Sequence, residues 1–171
     1  MSESEAASGV LEVVEGNKTT HITLVMPWDM GYWWDLIKSG LTRMEHHFVT
    51  NDDPIGELYN NLMTGKLYAY MASEITDGDM TKPNPMAMVV LGVSQDVGTN
   101  GRALWIYTLY AFQRPLSREL LDKGRAHIEG VAKEFKCTKI MAQIQDKDML
   151  RYVRAQKWFD NEVRILTAEV V

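Results

Sequence analysis

The fold of this chain is decided by residues 102–170, which open with the sequence RALWIYTLYAFQRPLSRELL. Residues 102–112 are rich in β-branched and aromatic side chains, and this composition predicts a strand. The polar turn that follows ends at Ser117, a residue type that favours the N-cap of a helix. Apolar residues and one glycine then recur at steps of three or four: Leu116, Leu120, Gly124, Ile128, Val131 and Phe135. Charged residues fall mainly on the opposite side, so the spacing predicts an amphipathic helix packed against a sheet.

The other elements continue this alternation of strands and helices. Downstream, the pattern predicts a strand at 139–144, a helix at 146–159 and a closing strand at 162–170. Upstream, it predicts a strand at 20–26, helices at 27–44 and 54–64, and strands at 66–74 and 86–94. We therefore expect an α/β fold with a central mixed sheet flanked by helices.

Length and composition limit the chain to one domain. Its 171 residues, 46% of them hydrophobic, suffice for one core and fall short of two ordinary domains. We predict an N-terminal arm at residues 1–17 and the domain at residues 18–171. The net charge of −5 gives no overall basic footprint for nucleic acid. No apolar run approaches the roughly 20 residues that span a bilayer, and no signal peptide is evident. We expect a soluble intracellular protein without a nucleic-acid or membrane partner.

The N-terminal arm carries one apolar cluster, formed by Val10, Leu11, Val13 and Val14, in an otherwise polar stretch. So small a cluster cannot fold alone, because it buries too little surface to offset the entropy of ordering the chain. We expect the arm to pack on the domain's own sheet or on another chain. A protein partner or self-association through the arm is therefore a prediction.

The order of strand, basic turn, helix, strand, helix and strand resembles the acetyl-coenzyme A binding half of the GNAT N-acetyltransferases. In that family the turn and the helix N-terminus hold the pyrophosphate of the cofactor. The sequence GELYNNLMTGKLYAYM, a helix ending at Gly65 that runs directly into a strand, is most similar to the small GNAT-like proteins of tailed bacteriophages. The resemblance implies a GNAT-like fold, acetyl-coenzyme A as cofactor, and transfer of its acetyl group to an amine.

The resemblance places the phosphate site in the turn before the long helix, with Pro115 and Ser117 at the two glycines of the family pattern. Pro115 has no N–H, so one donor of the phosphate cradle is missing. Ser117 adds a hydroxyl, and Arg114 and Arg118 can supply charge to the pyrophosphate. Alternatively, Ser117 is an ordinary N-cap and both arginines are solvated. The resemblance also implies that the main chain of Tyr107, Leu109 and Ala111 pairs with the pantetheine arm.

Proton transfer is the second requirement, because the amine must lose a proton before it attacks and the thiolate must gain one. Members of the family often use a Tyr on the last helix as the acid. Counting back from Trp158 places Arg154 at that position, while Tyr152 falls on another side of the helix. The remaining candidate acids or bases are Tyr107, Tyr110 and Glu74. For each of them, a sheet aromatic or a surface carboxylate is the alternative interpretation.

Histidine, acidic and cysteine residues give no metal or nucleophile prediction. His46 and His47 lie near Asp52 and Asp53, but adjacent histidines point to different faces of any regular element. We therefore expect no metal site. Cys137 is the single cysteine, which rules out a disulfide within the chain, and its place before a strand indicates packing.

Aromatic residues crowd the first predicted helix. Trp28 and Tyr32 form an apolar stripe at helical spacing, which favours core packing. The functional alternative is that Trp33 or Trp34 recognises a partner or substrate.

Two functions stay open. The first is a small phage-type acetyltransferase, favoured by the order of the elements and by the two arginines of the turn. The second is a GNAT-fold protein that no longer acetylates and acts as a structural or interaction protein, within a virion or against a host protein. Pro115 and Arg154 favour the second. Either function predicts a location in the host cytoplasm or in a virion.

Overall fold

The computed structural model describes residues 18–43, 53–95, 100–142 and 147–159. The strands are β1 (Lys18–Val25), β2 (Leu67–Thr76), β3 (Asn84–Gln95), β4 (Arg102–Ala111) and β5 (Lys139–Ala142). The helices are α1 (Met30–Thr42), α2 (Pro54–Met63), α3 (Arg118–Glu134) and α4 (Lys147–Ala155), with a short 3₁₀ turn at Pro27–Asp29. The predicted N-terminal arm and closing strand lie outside the described residues, so the boundary at residue 18 remains a prediction.

The strands form one five-stranded sheet in the order β1-β2-β3-β4-β5. The pairs β1–β2, β2–β3 and β3–β4 are antiparallel, and β5 pairs with β4 in parallel. Helix α3 explains the parallel pair, because the chain must cross back over the sheet, here through α3, before β5 can run in the same direction as β4. The prediction of an α/β fold with a mixed sheet flanked by helices is confirmed.

Each face of the sheet buries its own cluster of side chains. On one face, α1 and α2 contribute Met30, Ile37, Leu41, Leu58 and Leu62, which pack with Ala69, Met71, Met88 and Val90. On the other face, α3 contributes Ile128, Val131 and Ala132, which pack with Tyr70, Val89, Leu91, Leu104 and Ile106. Full burial of one such side chain contributes about 1.5–3 kcal/mol, so these two apolar faces hold the helices on the sheet.

Local capping fixes where the helices begin. The Ser117 hydroxyl accepts a hydrogen bond of 3.1 Å from the amide of Leu120, which confirms Ser117 as the N-cap of α3. At the start of α2, the Asp53 carboxylate accepts a hydrogen bond of 2.9 Å from the amide of Gly56. Gly65, with a φ of 71°, lies just after α2 and ahead of β2. The chain can reverse there because glycine adopts positive φ without steric cost.

A β-bulge interrupts β4. Val90 and Leu91 are adjacent on β3, yet they pair with Thr108 and Ile106, so Tyr107 is an extra residue in β4. Because paired residues point to the same face, Thr108 lies with Val90 on the α1–α2 face, the face that carries α1 and α2. The bulge therefore reverses the alternation of side chains along the rest of β4.

The aromatic residues near the start of α1 do not follow the predicted packing. Trp28 lies in the 3₁₀ turn and is 75% exposed, and Tyr32 is 68% exposed. Trp33 and Trp34 pack against the core instead. The prediction of a buried stripe at Trp28 and Tyr32 is wrong because α1 buries Ile37, and Tyr32 lies about 140° from it around the helix.

Candidate functional site

The pairing between β4 and β5 covers only the first half of β4. Lys139–Ala142 pair with the residues from Ala103 to Ile106. The second half of β4 continues past the described end of β5 and leads to the N-terminus of α3. It contains Tyr107, Leu109 and Ala111, whose main chain is the predicted partner of the pantetheine arm. An extended ligand can add to a strand where a neighbouring strand ends.

The bulge brings two of the candidate catalytic residues to the same face. Regular alternation would put Tyr107 and Tyr110 on opposite sides of the sheet. The ring of Tyr107 instead covers Gly92, where an added Cβ would lie 2.8 Å from Tyr107 Cε2, and Tyr110 packs with the α1–α2 cluster. The Tyr110 hydroxyl accepts a hydrogen bond of 2.7 Å from Nη1 of Arg43. Tyr107 remains 51% exposed, so a large part of the residue is open to solvent.

Glu74 lies apart from the two tyrosines. Regular alternation along β2 puts it on the same face as Tyr70 and Ala72, which is the face covered by α3. Its carboxylate is 3.3 Å from the Lys18 ammonium. The structure thus brings Tyr107 and Tyr110 to one face and leaves Glu74 on the other.

The predicted phosphate site surrounds the N-terminus of α3. Ser117 caps the helix, and the positive end of the helix dipole points towards the turn. Arg118 is 78% exposed at its side chain, with Nε 3.8 Å from the Asp122 carboxylate, and Arg114 is also exposed. An exposed ion pair of this length contributes little to stability, so Arg118 can turn towards an anion at small cost. Pro115 precedes the cap and offers no N–H.

A cleft with walls made almost entirely of carbon opens beside this helix terminus. We name it the α3 cleft, since it runs between α3, the sheet and α4. Its walls include Ala72, Ala87, Leu109, Leu120, Gly124 and Tyr152. Including its solvent-open mouth, the empty space in the cleft is about 560 Å³. Leu109 belongs to the predicted cofactor residues, so the cleft adjoins the predicted path of the pantetheine arm.

Tyr152, rather than Arg154, faces the α3 cleft. Its hydroxyl donates a hydrogen bond of 3.0 Å to the Asp122 carboxylate, whereas Arg154 is exposed. Burial raises the pKa of Tyr152, and so does the hydrogen bond to Asp122. The phenol is therefore protonated near neutral pH and can act as a proton donor. The position count gave Arg154, which lies about 200° from Tyr152 around α4; of the two residues, Tyr152 lies on the side that faces α3.

His127 is a cleft residue that the sequence analysis missed. Its Nε2 atom is buried and has no hydrogen-bond partner among the described residues, and its ring packs edge-on against Tyr70 with centroids 4.7 Å apart. Burial lowers the pKa of His127, which favours the neutral imidazole at neutral pH. The available signal was position: His127 lies seven residues after Leu120, so both lie on the same side of α3.

The described residues form neither a metal site nor a helix that could span a membrane. Within these ranges, no group of three or more His, Cys, Asp and Glu side chains is placed to hold a metal ion. His46, His47 and Asp52 lie outside the described residues. Among the helices described, none is long and apolar enough to cross a membrane.

Comparison with known proteins identifies the fold. No family profile and no curated protein matches the sequence. Solved structures do match. A probable acetyltransferase is 14% identical to this chain, and the two structures match with a TM-score of 0.65 over 88% of this chain and 98% of the acetyltransferase. An aminoglycoside acetyltransferase from an uncultured soil metagenomic sample, solved with trehalose, is 13% identical, with a TM-score of 0.63 over 89% and 97%. A predicted acetyltransferase from Clostridium acetobutylicum, solved with acetyl-CoA, is 16% identical, with a TM-score of 0.63 over 88% and 96%.

The fold of this chain is therefore the GNAT acetyltransferase fold over nearly its whole length. At identities of 13 to 16%, the likeness establishes the fold, and the activity has to be argued from the site.

Proposed function

We propose that the protein is an acyltransferase that transfers the acetyl group of acetyl-coenzyme A to an amine. The observation that carries this proposal is the position of the α3 cleft. It adjoins both the N-terminus of α3, an anion site by its backbone and dipole, and the half of β4 that extends beyond the described end of β5. An anion site, an apolar cleft and the second half of β4 match the three parts of the cofactor that must be held: pyrophosphate, gem-dimethyl group and amides.

Each part of the cofactor has residues that would hold it. Arg114 and Arg118, with the Ser117 amide and hydroxyl, would bind the pyrophosphate. The main chain of Tyr107, Leu109 and Ala111 would pair with the pantetheine arm. This assignment retains the predicted cofactor residues, and the apolar walls of the α3 cleft support it because they suit the aliphatic part of the arm.

Acetyl-coenzyme A, when bound, supplies a thioester whose carbonyl carbon forms a bond to the amine nitrogen while the carbon–sulfur bond breaks. We propose that Tyr152, whose side chain lines the cleft, donates the proton that the departing thiolate needs. In the structure this hydrogen is donated to Asp122, so the hydroxyl must turn from that carboxylate to the thiolate to deliver it.

The acceptor amine would approach from the α1–α2 face, on the opposite side of the sheet from α3. Tyr107 and Tyr110 both lie on that face, as a result of the bulge, and are proposed to accept hydrogen bonds from the amine, whose proton passes to solvent. The position of Glu74 on the α3 face does not support its predicted role as a base for the same amine.

Binding of acetyl-coenzyme A is the first test. A ligand at 100 times its Kd adds about 2.7 kcal/mol to the free energy of unfolding, which thermal melts of the purified protein detect. Replacing Arg114 and Arg118 together by Ala should weaken binding at least tenfold by calorimetry. The matched control replaces Lys133 and Lys136, at the other end of α3, by Ala and should bind as the wild type does. Equal affinity of both double variants would move the phosphate site elsewhere.

Acyl transfer is tested by thiol release with a panel of amines. Tyr152→Phe removes the hydroxyl and keeps the ring, so we expect kcat to fall by 10²- to 10⁴-fold, the usual contribution of general acid catalysis. Cofactor affinity should change little. Unchanged kcat would remove Tyr152 from the mechanism.

A second candidate is an interaction protein with the GNAT fold and no transferase activity. The missing amide at Pro115 and the exposed Trp28 and Tyr32 favour it, since exposed aromatic residues are enriched in binding surfaces. The proposed contact is the arm at residues 1–17, and deletion of residues 1–16 should then abolish assembly in light scattering without changing the melting temperature. Normal assembly of the truncated protein would rule out this role of the arm.

The bacteriophage origin belongs to the proposal as well. It rests on the resemblance to GNAT-like proteins of tailed phages that the sequence GELYNNLMTGKLYAYM suggests. A location in the host cytoplasm or in a virion follows from that origin.

A further inference from the structure

The α3 cleft contains a polar atom whose hydrogen-bonding capacity is unused. His127 points from α3 towards the sheet, and its Nε2 atom is buried without a partner. The surrounding wall is almost entirely carbon, including the side chains of Leu120, Ile128 and Leu109. A buried polar atom of this kind destabilises the fold relative to one that is hydrogen-bonded. Such atoms are rare in folded proteins and call for an explanation.

The structure limits what could satisfy this atom. The neighbouring ring of Tyr70 meets the imidazole edge-on, with centroids 4.7 Å apart, and the structure gives no hydrogen bond between the two side chains. A neutral imidazole carries one nitrogen that accepts and one that donates. Burial favours the neutral form of His127, and with the proton on Nδ1 the Nε2 atom accepts a hydrogen bond. A ligand that satisfies this tautomer combines an apolar body with an N–H or O–H group.

The pantetheine arm of coenzyme A has this chemistry. It carries two amide N–H groups and a hydroxyl beside an apolar gem-dimethyl group. It is also the part of the cofactor that the proposed function brings to Leu109, which lines the same cleft as His127. A free aliphatic molecule would fill the cleft and leave Nε2 without a partner.

We propose that His127 is a cofactor-binding residue, and that its Nε2 atom accepts a hydrogen bond from the pantetheine arm of coenzyme A within the α3 cleft. This inference rests on the proposed function. It adds a side-chain contact from α3 to the main-chain pairing along β4. The proposed contact predicts that His127 contributes to the affinity for the pantetheine part of coenzyme A and not to the affinity for its nucleotide part.

The test compares two ligands by calorimetry: coenzyme A, and adenosine 3′,5′-bisphosphate, which lacks pantetheine. His127→Leu should weaken binding of coenzyme A about tenfold, because the pantetheine donor loses its acceptor in an apolar cleft. Binding of the bisphosphate should stay within about twofold. His127→Gln offers an amide oxygen as acceptor and should recover part of the loss. The control His21→Leu, on the exposed surface of β1, should bind both ligands as the wild type does.

Each other outcome has a definite meaning. If the wild type binds no coenzyme A, both the proposed function and this inference are wrong. If His127→Leu binds coenzyme A as tightly as the wild type, the inference alone is wrong. An equal loss for both ligands would assign His127 to the structure of α3 instead. Should the variants fail to fold, the wild type decides by NMR: coenzyme A, but not the bisphosphate, should shift the resonance of the unprotonated ring nitrogen of His127, and no shift overturns the inference.

Discussion

Gly124 offers the sharpest test of whether the α3 cleft holds the cofactor. It lies in the interior of α3 and lines the cleft, and an added Cβ would meet no atom within 4 Å. Replacing it by Ala should therefore stabilise the protein by about 1 kcal/mol, the difference in helix propensity between the two residues. In a domain of this length, such a gain raises the melting temperature by about 2–4 °C.

A larger residue at Gly124 separates stability from binding. Leu is a good helix former, and its side chain would project into the cleft and occupy space needed by pantetheine. We expect Gly124→Leu to keep a melting temperature at or above that of the wild type and to weaken coenzyme A binding at least tenfold. The control is Gly130→Ala, at an exposed position of α3 with no atom within 4 Å of the added Cβ. It should stabilise the protein without changing affinity.

Thermal melts and calorimetry on the three variants decide the matter. If Gly124→Leu binds coenzyme A as tightly as the wild type, the cofactor does not use the α3 cleft. If Gly124→Ala lowers the melting temperature while Gly130→Ala raises it, the cleft is less open at Gly124 than described.

Three further results are expected from residues around this helix. Ser117→Ala removes the hydrogen bond to the Leu120 amide and should cost about 1 kcal/mol in denaturant titrations, whereas Ser117→Asp, which can cap the helix, should not. Burial lowers the pKa of His127 from 6.5, so the unfolded chain binds more protons than the folded one below that pH. Stability should therefore fall as the pH drops below about 6.5, and melts from pH 5 to 7.5 should show a shallower fall in His127→Leu. Burial raises the pKa of the Cys137 thiol, so iodoacetamide should label it more slowly than a free thiol at pH 7.5, a result that fast labelling would contradict.

The fold could be predicted from the sequence because its signals are local and repeated. The period of apolar residues in α3, the capping residue Ser117 and the β-branched run of β4 each specify one element. Their order leaves few topologies, since a strand that follows a crossover helix pairs in parallel. Boundaries were less exact: β3 begins at Asn84, and the first predicted helix begins as a 3₁₀ turn followed by α1.

The candidate site was harder to predict because it depends on departures from regular periodicity. Alternation along β4 cannot show that Tyr107 is an extra residue, since the pairing partner lies on another strand. Counting along α4 cannot show which side meets α3, so it selected Arg154 where the structure presents Tyr152. His127 carried a positional signal, but a histidine on an apolar stripe acquires meaning only when the cleft beside it is known.

The extra residue in β4 also bears on how this strand could have arisen. Without Tyr107, the sequence would run from Ile106 straight to Thr108, and side chains would alternate regularly between the two faces. Every residue after that point would keep its present partner on β3. In most central strands, loss of one residue sends all later side chains to the wrong face. Here the sheet would be more regular without Tyr107, so the fold alone gives no reason to keep it. Because the sheet does not need Tyr107, its presence in β4 indicates a requirement that comes from outside the sheet.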